Sequence, residues 1–508
     1  MEDYSPVIGK TVIETLTSGM YDDARFVFRE YVQNAADQID VAFETNVLRN
    51  KADGRVKITI DPFAKYISVE DNATGIPASE VLRFLGDVAK SEKDKTKRKG
   101  FRGIGRLGGL GYCDKLIFET SAHGEDVQSI MTLDAKQLRK LIEDNNVDLD
   151  ASAVISVITS IDRKSEAKDE HYFKVTLENV NTIKLLDIKR VTEYLSMVAP
   201  LPFHKDFTFG KEVKRYMTEN NFTLDEYNVF LNNDQLFKSY RDEFDEDDTK
   251  SKWLAVDFFD VRGEKLELLA LGWYGYRAQS NIVLPTGNIE KGLRLRKSNI
   301  GIGDENTVSR FFKAPRTNHR FIGEIHALNS NFIPNARRDY FNENRTLQDF
   351  EKALEDLFKE KNLENRLAHT ASNLQRRLEE IEDYKRSQKE WEERKGNFPS
   401  QVAEQQFLDN LKVAETTAKR AYDTINKISV KASKDKGIKT LYQTITAGKD
   451  LDISTSKDLT VNTYDPPSFA KLSPNEQEVV RTIFQMIDET LPVNQAKTLK
   501  DKIYVRFN

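Results

Sequence analysis

Residues 28–39 read FREYVQNAADQI, and their spacing is helical. Glu30, Asn34 and Asp37 stand at i, i+4 and i+7 and so share one helix face. Phe26, Val27, Tyr31 and Val32 are interleaved with them. A carboxylate beside a carboxamide on one face has a specific chemical use. The amide oxygen of Asn34 is a hard ligand suited to Mg²⁺. Glu30 is placed to polarise a water for attack on a phosphate. The plain alternative is a surface helix with a polar stripe, and the triplet alone does not separate the two.

Two further motifs follow within the first ~110 residues. ISVEDNATGIP, residues 67–77, runs from a strand (Ile67–Val69) into Asp71, and then to a turn ending at Gly75. A carboxylate at a strand end accepts a hydrogen bond from an exocyclic amine, and Gly75 permits close approach of a flat ligand. Read alone, it is an ordinary Asp/Asn/Gly turn. KGFRGIGRLGGLG, residues 99–111, spaces Gly100, Gly103 and Gly105 as G-x-x-G-x-G. That is neither the dinucleotide G-x-G-x-x-G nor a P-loop. Successive backbone N–H groups in such a loop hold phosphates. Six basic residues from Lys90 to Lys99 precede it, and Arg102 and Arg106 lie within it. The plain reading of the basic run is a solvated loop. With its glycines it also reads as a lid that orders on binding.

The surrounding chain narrows the class. It has 508 residues, 39% hydrophobic and 31% charged, enough apolar surface for several packed cores. Lys+Arg (77) and Asp+Glu (82) nearly balance at a net charge of −5, which argues against coating nucleic acid along the whole length. Cys113 is the only cysteine, so no intrachain disulfide or cysteine zinc site is possible. A lone thiol suits a reducing compartment. The N-terminus MEDYSPVIGK lacks an apolar targeting core, and no run approaches the ~20 apolar residues of a membrane span. The expectation is a cytoplasmic protein with no membrane partner.

Four textures divide the chain. Residues 1–203 alternate helix and strand patterns and carry the motifs above. Residues 204–345 are rich in aromatic and β-branched residues, as in WLAVDFFDV and LELLALGWYGY. Residues 346–430 have few Gly or Pro and read as long helices. There Leu367, Ala371, Leu374, Leu378 and Ile381 step 4-3-4-3, which suits a helix packed on its own domain, a helical hairpin or a dimer contact. Residues 431–508 end in one clear amphipathic helix, with Ser473 as N-cap and Pro474 at its first position.

Taken together the three motifs resemble the GHKL ATPase superfamily, which includes gyrase-type topoisomerases, MutL, histidine kinases, MORC and the ninety-kilodalton heat-shock chaperones. The HtpG-like chaperone branch is the nearest resemblance, over residues 1 to about 345. Its helix reads roughly R-E-L-I-x-N-A-x-D, against Arg29-Glu30-Tyr31-Val32-Gln33-Asn34-Ala35-Ala36-Asp37 here. Its L-G-x-I-A-K-S matches Leu85 to Ser91, and its G-x-F-G-x-G is similar to Gly100 to Gly105. The resemblance implies an α+β chain: a GHKL α/β sandwich, a transducer domain, then a helical C-terminal region. It implies ATP and Mg²⁺ as ligands. Glu30 would be the general base, Asn34 the magnesium ligand and Asp71 the adenine acceptor. Gly75 would shape the base pocket, and Asp37 would order water near the base. Lys90, Gly100, Gly103 and Gly105 would approach the phosphates. The chain departs from the family pattern in three places. Phe84 replaces an Asn before the Leu-Gly pair, Ala73 replaces a Gly, and HYFKVTLENV lacks the family's Gly-Thr. Thr176 is the candidate substitute for that threonine.

FIPNARRDYF, residues 332–341, resembles the family's L-P-L-N-x-S-R-E, so Arg338 is the arginine expected at the γ-phosphate. Arg337 and Lys297 are weaker candidates for that role. The plain alternative is a salt bridge made by Arg337 and Arg338. The expected function is an ATP-gated clamp, homodimeric, chaperone-like or signalling, with a protein client or partner on the C-terminal helices. A setting in bacterial conflict or phage defence belongs to this reading. The rival is a MutL- or MORC-like ATPase acting on DNA, which the cluster Lys95–Arg106 supports and the net charge does not. A histidine-kinase reading fails on order, because the ATPase motifs come first here.

Overall fold

The computed structural model describes residues 7–19, 23–87, 105–246, 249–277, 282–360, 363–394, 401–433, 436–453 and 472–507. Lys90, Gly100 and Gly103 lie outside them. The chain forms two compact units. One runs to Arg277 and from Ile282 to Glu364, and the other holds the chain from Asn365 onward.

The first unit contains two large sheets. The eight-stranded sheet is built from β1 (Arg55–Asp61), β2 (Tyr66–Asp71), β3 (Lys115–Ser121), β4 (Val127–Asp134), β5 (Thr159–Ser165), β6 (Tyr172–Glu178), β7 (Asn228–Leu231) and β8 (Asp234–Gln235). Their spatial order is β5-β4-β3-β6-β2-β1-β7-β8. All neighbours are antiparallel except β1 and β7. Strands β7 and β8 come from beyond residue 204, where the texture of the sequence changes. That change therefore marks the start of the aromatic-rich segment and not the edge of the sheet.

One helix, Phe26–Glu44, packs on this sheet and is buried almost all round. Its Phe28, Val32, Ala35 and Ile39 join Ile67, Val69, Leu116, Phe118, Val175 and Leu177 in one core. This explains why apolar residues are interleaved with the polar triplet: a helix covered on several sides has little solvent face left to encode.

After a two-stranded ribbon of β9 (Glu243–Glu246) and β10 (Thr249–Lys252), a five-stranded sheet follows. It comprises β11 (Ala255–Arg262), β12 (Leu268–Tyr276), β13 (Gly292–Lys297), β14 (Ile300–Ile302) and β15 (Ile322–Ala327), in the order β11-β12-β15-β13-β14. A buried charge cluster sits on β13 and β15. Glu324 takes the Lys238 ammonium at 2.7 Å, the Arg296 guanidinium and His326 Nε2 at 3.0 Å. Arg296 also donates through Nη2 to the Met197 carbonyl at 2.7 Å. It thereby ties β13 to the end of the helix Ile188–Val198.

The second unit is helical. The helices Leu363–Arg394 and Gln401–Ala432 meet through stacked rings of Trp391 and Phe407, with centroids 6.1 Å apart. Ala371, Leu374, Leu378 and Ile381 of the 4-3 stripe are buried along the first helix, as are Tyr384 and Trp391, while the side chain of Leu367 lies outside the described residues. Pro474–Thr490 opens on a capping box between Ser473 and Glu476.

Candidate functional site

The polar face of the helix Phe26–Glu44 forms one wall of the site. Glu30 and Asp37 are buried, and Asn34 is half-buried. Glu30 Oε1 lies 3.0 Å from Arg338 Nε and 3.6 Å from Arg29 Nη2. Arg29 in turn donates to the Arg337 carbonyl at 3.3 Å. Arg338, more than 300 residues away in sequence, therefore reaches the carboxylate expected to act as base. Its backbone is left-handed, with φ 56°, a conformation that is strained for a residue with a Cβ. The Arg338 carbonyl accepts from Gly303 N–H at 2.8 Å, and its N–H donates to Asn335 O at 3.2 Å. The turn is thus held from both sides, and the strain aims a buried guanidinium at Glu30.

The opposite side of Glu30 is closed by Gly105. A Cβ there would stand 2.5 Å from Glu30 Oε2, so a side chain at this position would have to push the carboxylate aside. Tyr31 fixes the same loop to the helix. Its hydroxyl donates to Arg106 O at 3.3 Å and accepts from Gly109 N–H at 3.1 Å. Arg106 bonds the Asp87 carbonyl, and burial pulls its guanidinium down to about 10.

The second wall is the turn after β2. Asp71 is buried at the strand end and accepts from Ala73 N–H through Oδ1 at 3.0 Å. The Ala73 carbonyl accepts from His171 Nδ1 at 2.6 Å. Ile76 N–H donates to Thr120 Oγ1 at 2.9 Å, and Thr74 Oγ1 donates to Gln38 Oε1 on the helix at 3.2 Å. Gly75 has φ +65°, and a Cβ on it would fall 1.8 Å from the Ser121 carbonyl. No other residue fits there.

Two sequence expectations change. Thr176 does not stand in for the missing threonine. Asp71 pairs with Phe173 on β6, whereas Thr176 pairs with Ser68. Three positions along a strand reverse the face, so Thr176 points away from the Asp71 side. The residue beside Asp71 on its own face is Phe173, stacked on Phe118 at 5.9 Å. Lys297 is also committed elsewhere. Its ammonium donates to the carbonyls of Leu328 and Asn329 at 3.1 and 2.8 Å, and burial pushes it down to about 8. Phe84 stands part-exposed with the Arg83 guanidinium 4.8 Å over its ring. Arg337 is exposed.

Arg29 drew no role from sequence reading. It neighbours Glu30 in the chain but lies ~100° round the helix, so only the tertiary contact with Arg337 reveals its part. Among the described residues no group of three His, Cys, Asp or Glu side chains is placed to hold a metal. The donor set instead suits a metal that keeps water and substrate oxygens. The half-buried Asn34 carboxamide, between Glu30 and Asp37, is the hard oxygen available for it.

A helix-borne carboxylate and carboxamide, a buried aspartate at a strand end, and a glycine-lined loop on one mostly antiparallel sheet define a class of ATPase domain. Residues 26–167 match the family described as histidine kinase-, DNA gyrase B-, and HSP90-like ATPase, and this part of the chain is a GHKL-type ATPase domain. The chain is similar to the chaperone protein HtpG of Chlorobium phaeobacteroides, 29% identical over 136 residues. That match covers 23% of this chain and 22% of the relative. HtpG of Cupriavidus metallidurans is 29% identical over 133 residues, 23% of this chain and 21% of its own length. HtpG of Polaromonas naphthalenivorans is 25% identical over 130 residues, 22% of this chain and 21% of its own. The matched stretch thus spans about a fifth of these curated relatives. No helix among the described residues is long and apolar enough to cross a membrane.

Proposed function

We propose that this chain binds ATP and hydrolyses it to ADP and phosphate, and that the reaction gates a conformational clamp. The observation that carries the reading is the buried contact of Arg338 with Glu30 at 3.0 Å. A site built partly from the 332–341 turn couples its chemistry to the placement of that turn. Asp71 accepts the exocyclic amine of the base. Arg338 exchanges the Glu30 carboxylate for the γ-phosphoryl group, where its guanidinium stabilises developing charge. Glu30, released, takes a proton as the oxygen of water bonds to the γ-phosphorus and the bond to the β-phosphate oxygen breaks. Magnesium, held through Asn34, supplies charge neutralisation on the phosphate oxygens when bound. Asp37 orders water and Gly105 stands beside Glu30 on the phosphate side; Lys90, Gly100 and Gly103, outside the described residues, are assigned to phosphate binding by the resemblance alone. Functionally, residues 1–203 are the ATP-binding part and 204–345 the transducer. The helices of 346–430 and 431–508 meet a second copy or a client protein. We place the protein in the cytoplasm. A setting in bacterial conflict would be read first from its neighbouring genes.

The test is steady-state ATP hydrolysis by wild type and Glu30→Ala with Mg²⁺, with and without double-stranded DNA. Loss of turnover in Glu30→Ala, indifferent to DNA, supports the clamp. Stimulation by DNA moves the MutL- or MORC-like alternative ahead. An unchanged rate in Glu30→Ala removes Glu30 as the base.

A further inference from the structure

Gln33 is 1% exposed, yet neither its Oε1 nor its Nε2 makes a hydrogen bond with any described residue. An unpaired buried carboxamide is costly and uncommon, and it persists where something else repays it. Its surroundings indicate what that is. On the helix surface its neighbours at i−4, i−3 and i+4 are Arg29, Glu30 and Asp37, all buried. Arg29 and Glu30 are engaged with the 337–338 turn. Gln33 therefore lies within a buried polar patch beside Glu30, with both its donor and its acceptor in reserve.

We propose that Gln33 orients the attacking water for Glu30, an inference that rests on the ATPase reading above. Its Oε1 accepts one proton of the water and fixes its lone pair toward phosphorus, while the other proton goes to Glu30. A carboxamide suits this place for two reasons. It is neutral, so it adds no charge to repel the phosphates. It also cannot take the proton itself, which leaves Glu30 as the base. Glutamine serves the same purpose in other phosphoryl-transfer sites of unrelated fold.

The experiment compares wild type with Gln33→Met, nearly the same in shape but without the amide, and with Gln33→Leu in case one packs badly. Four quantities are read: the melting midpoint without nucleotide, the midpoint shift with Mg-ADP, and kcat and KM for ATP. The expected result is a nucleotide-free midpoint equal to wild type or higher by up to ~4 °C, because an unpaired polar group has been removed. The Mg-ADP shift and KM stay within about twofold, and kcat falls at least about tenfold. Two outcomes overturn the proposal: a wild-type kcat in either variant, or a lower midpoint with the Mg-ADP shift lost, which marks Gln33 as structural. Failure of the underlying reading looks different. Wild type then shows neither an Mg-ADP shift nor turnover, and this proposal falls with it.

Discussion

At the scale of single residues the site is a set of side chains that bury one another. Glu30 and Arg338 are each under a tenth exposed. Removing one member takes from the other its nearest opposite charge inside a buried site, which is more costly than the pair is stabilising. We therefore expect Arg338→Ala and Glu30→Gln to be strongly non-additive. The double variant should recover roughly 1–3 kcal/mol relative to the sum of the singles in urea unfolding. Additive values would mean that the contact carries no energy. Arg338→Lys should keep most of the stability and lose turnover, because an ammonium cannot match the planar fork. Gly75→Ala should cost about 3 kcal/mol or more and abolish the Mg-ADP shift, since strain at positive φ adds to the clash with Ser121. These positions differed in how legible they were. Glu30, Asn34 and Asp71 could be read because spacing and strand ends are local. Arg29 and Gln33 could not, because their environments are made by residues far away in sequence. Thr176 was misread because the face of a strand residue depends on register, which one strand does not contain.

At the scale of elements, the second sheet holds an ion cluster whose behaviour with pH follows from burial. Burial pushes His326 down to about 4, although its bond to Glu324 acts the other way. Burial alone would raise the Glu324 carboxyl, but Arg296 and Lys238 beside it hold it well below the usual carboxylate range. His326 is therefore neutral in the fold, with Nε2–H donating to the carboxylate. An unfolded chain binds this proton at the ordinary histidine pKa near 6.5. Stability must then fall as pH drops from ~6.5 toward ~4, with a slope approaching about 1.4 kcal/mol per pH unit. His326→Gln should flatten that part of the profile in urea titrations at stepped pH. An unchanged slope would assign the acid sensitivity to other groups. The cluster also bonds the Met197 carbonyl through Arg296, so acid loosening of β13 and β15 acts on the junction with the first sheet.

At the scale of the whole molecule, the two compact units have different origins of stability. The family match lies wholly within the first. The second rests on long helices joined by the buried Trp391 stacked on the half-buried Phe407. Trp391→Ala removes a fully buried ring stacked on Phe407 and should cost the helical unit about 3–5 kcal/mol. Calorimetry should show one transition moving down while the transition that responds to Mg-ADP stays in place. If both move together, the units unfold as one and the division has no thermodynamic meaning. Sedimentation with and without a non-hydrolysable ATP analogue tests the proposed homodimer at this scale. A monomer in both conditions would leave the clamp reading without its second arm.

The amino-acid sequence by itself determined the helix through residues 28–39, the strand leading into Asp71, the strand-rich second segment and the long helices that follow it. All of these rest on periodicity and on local backbone preferences. It also contained the family resemblance of the first part of the chain. Only the tertiary structure decided that Arg338 meets Glu30, that Phe173 and not Thr176 stands beside Asp71, that Lys297 is tied to carbonyls, and that Gln33 is buried without a partner. Each of these depends on sheet register or on burial. Both are set by contacts between segments distant in the chain, which no local pattern records.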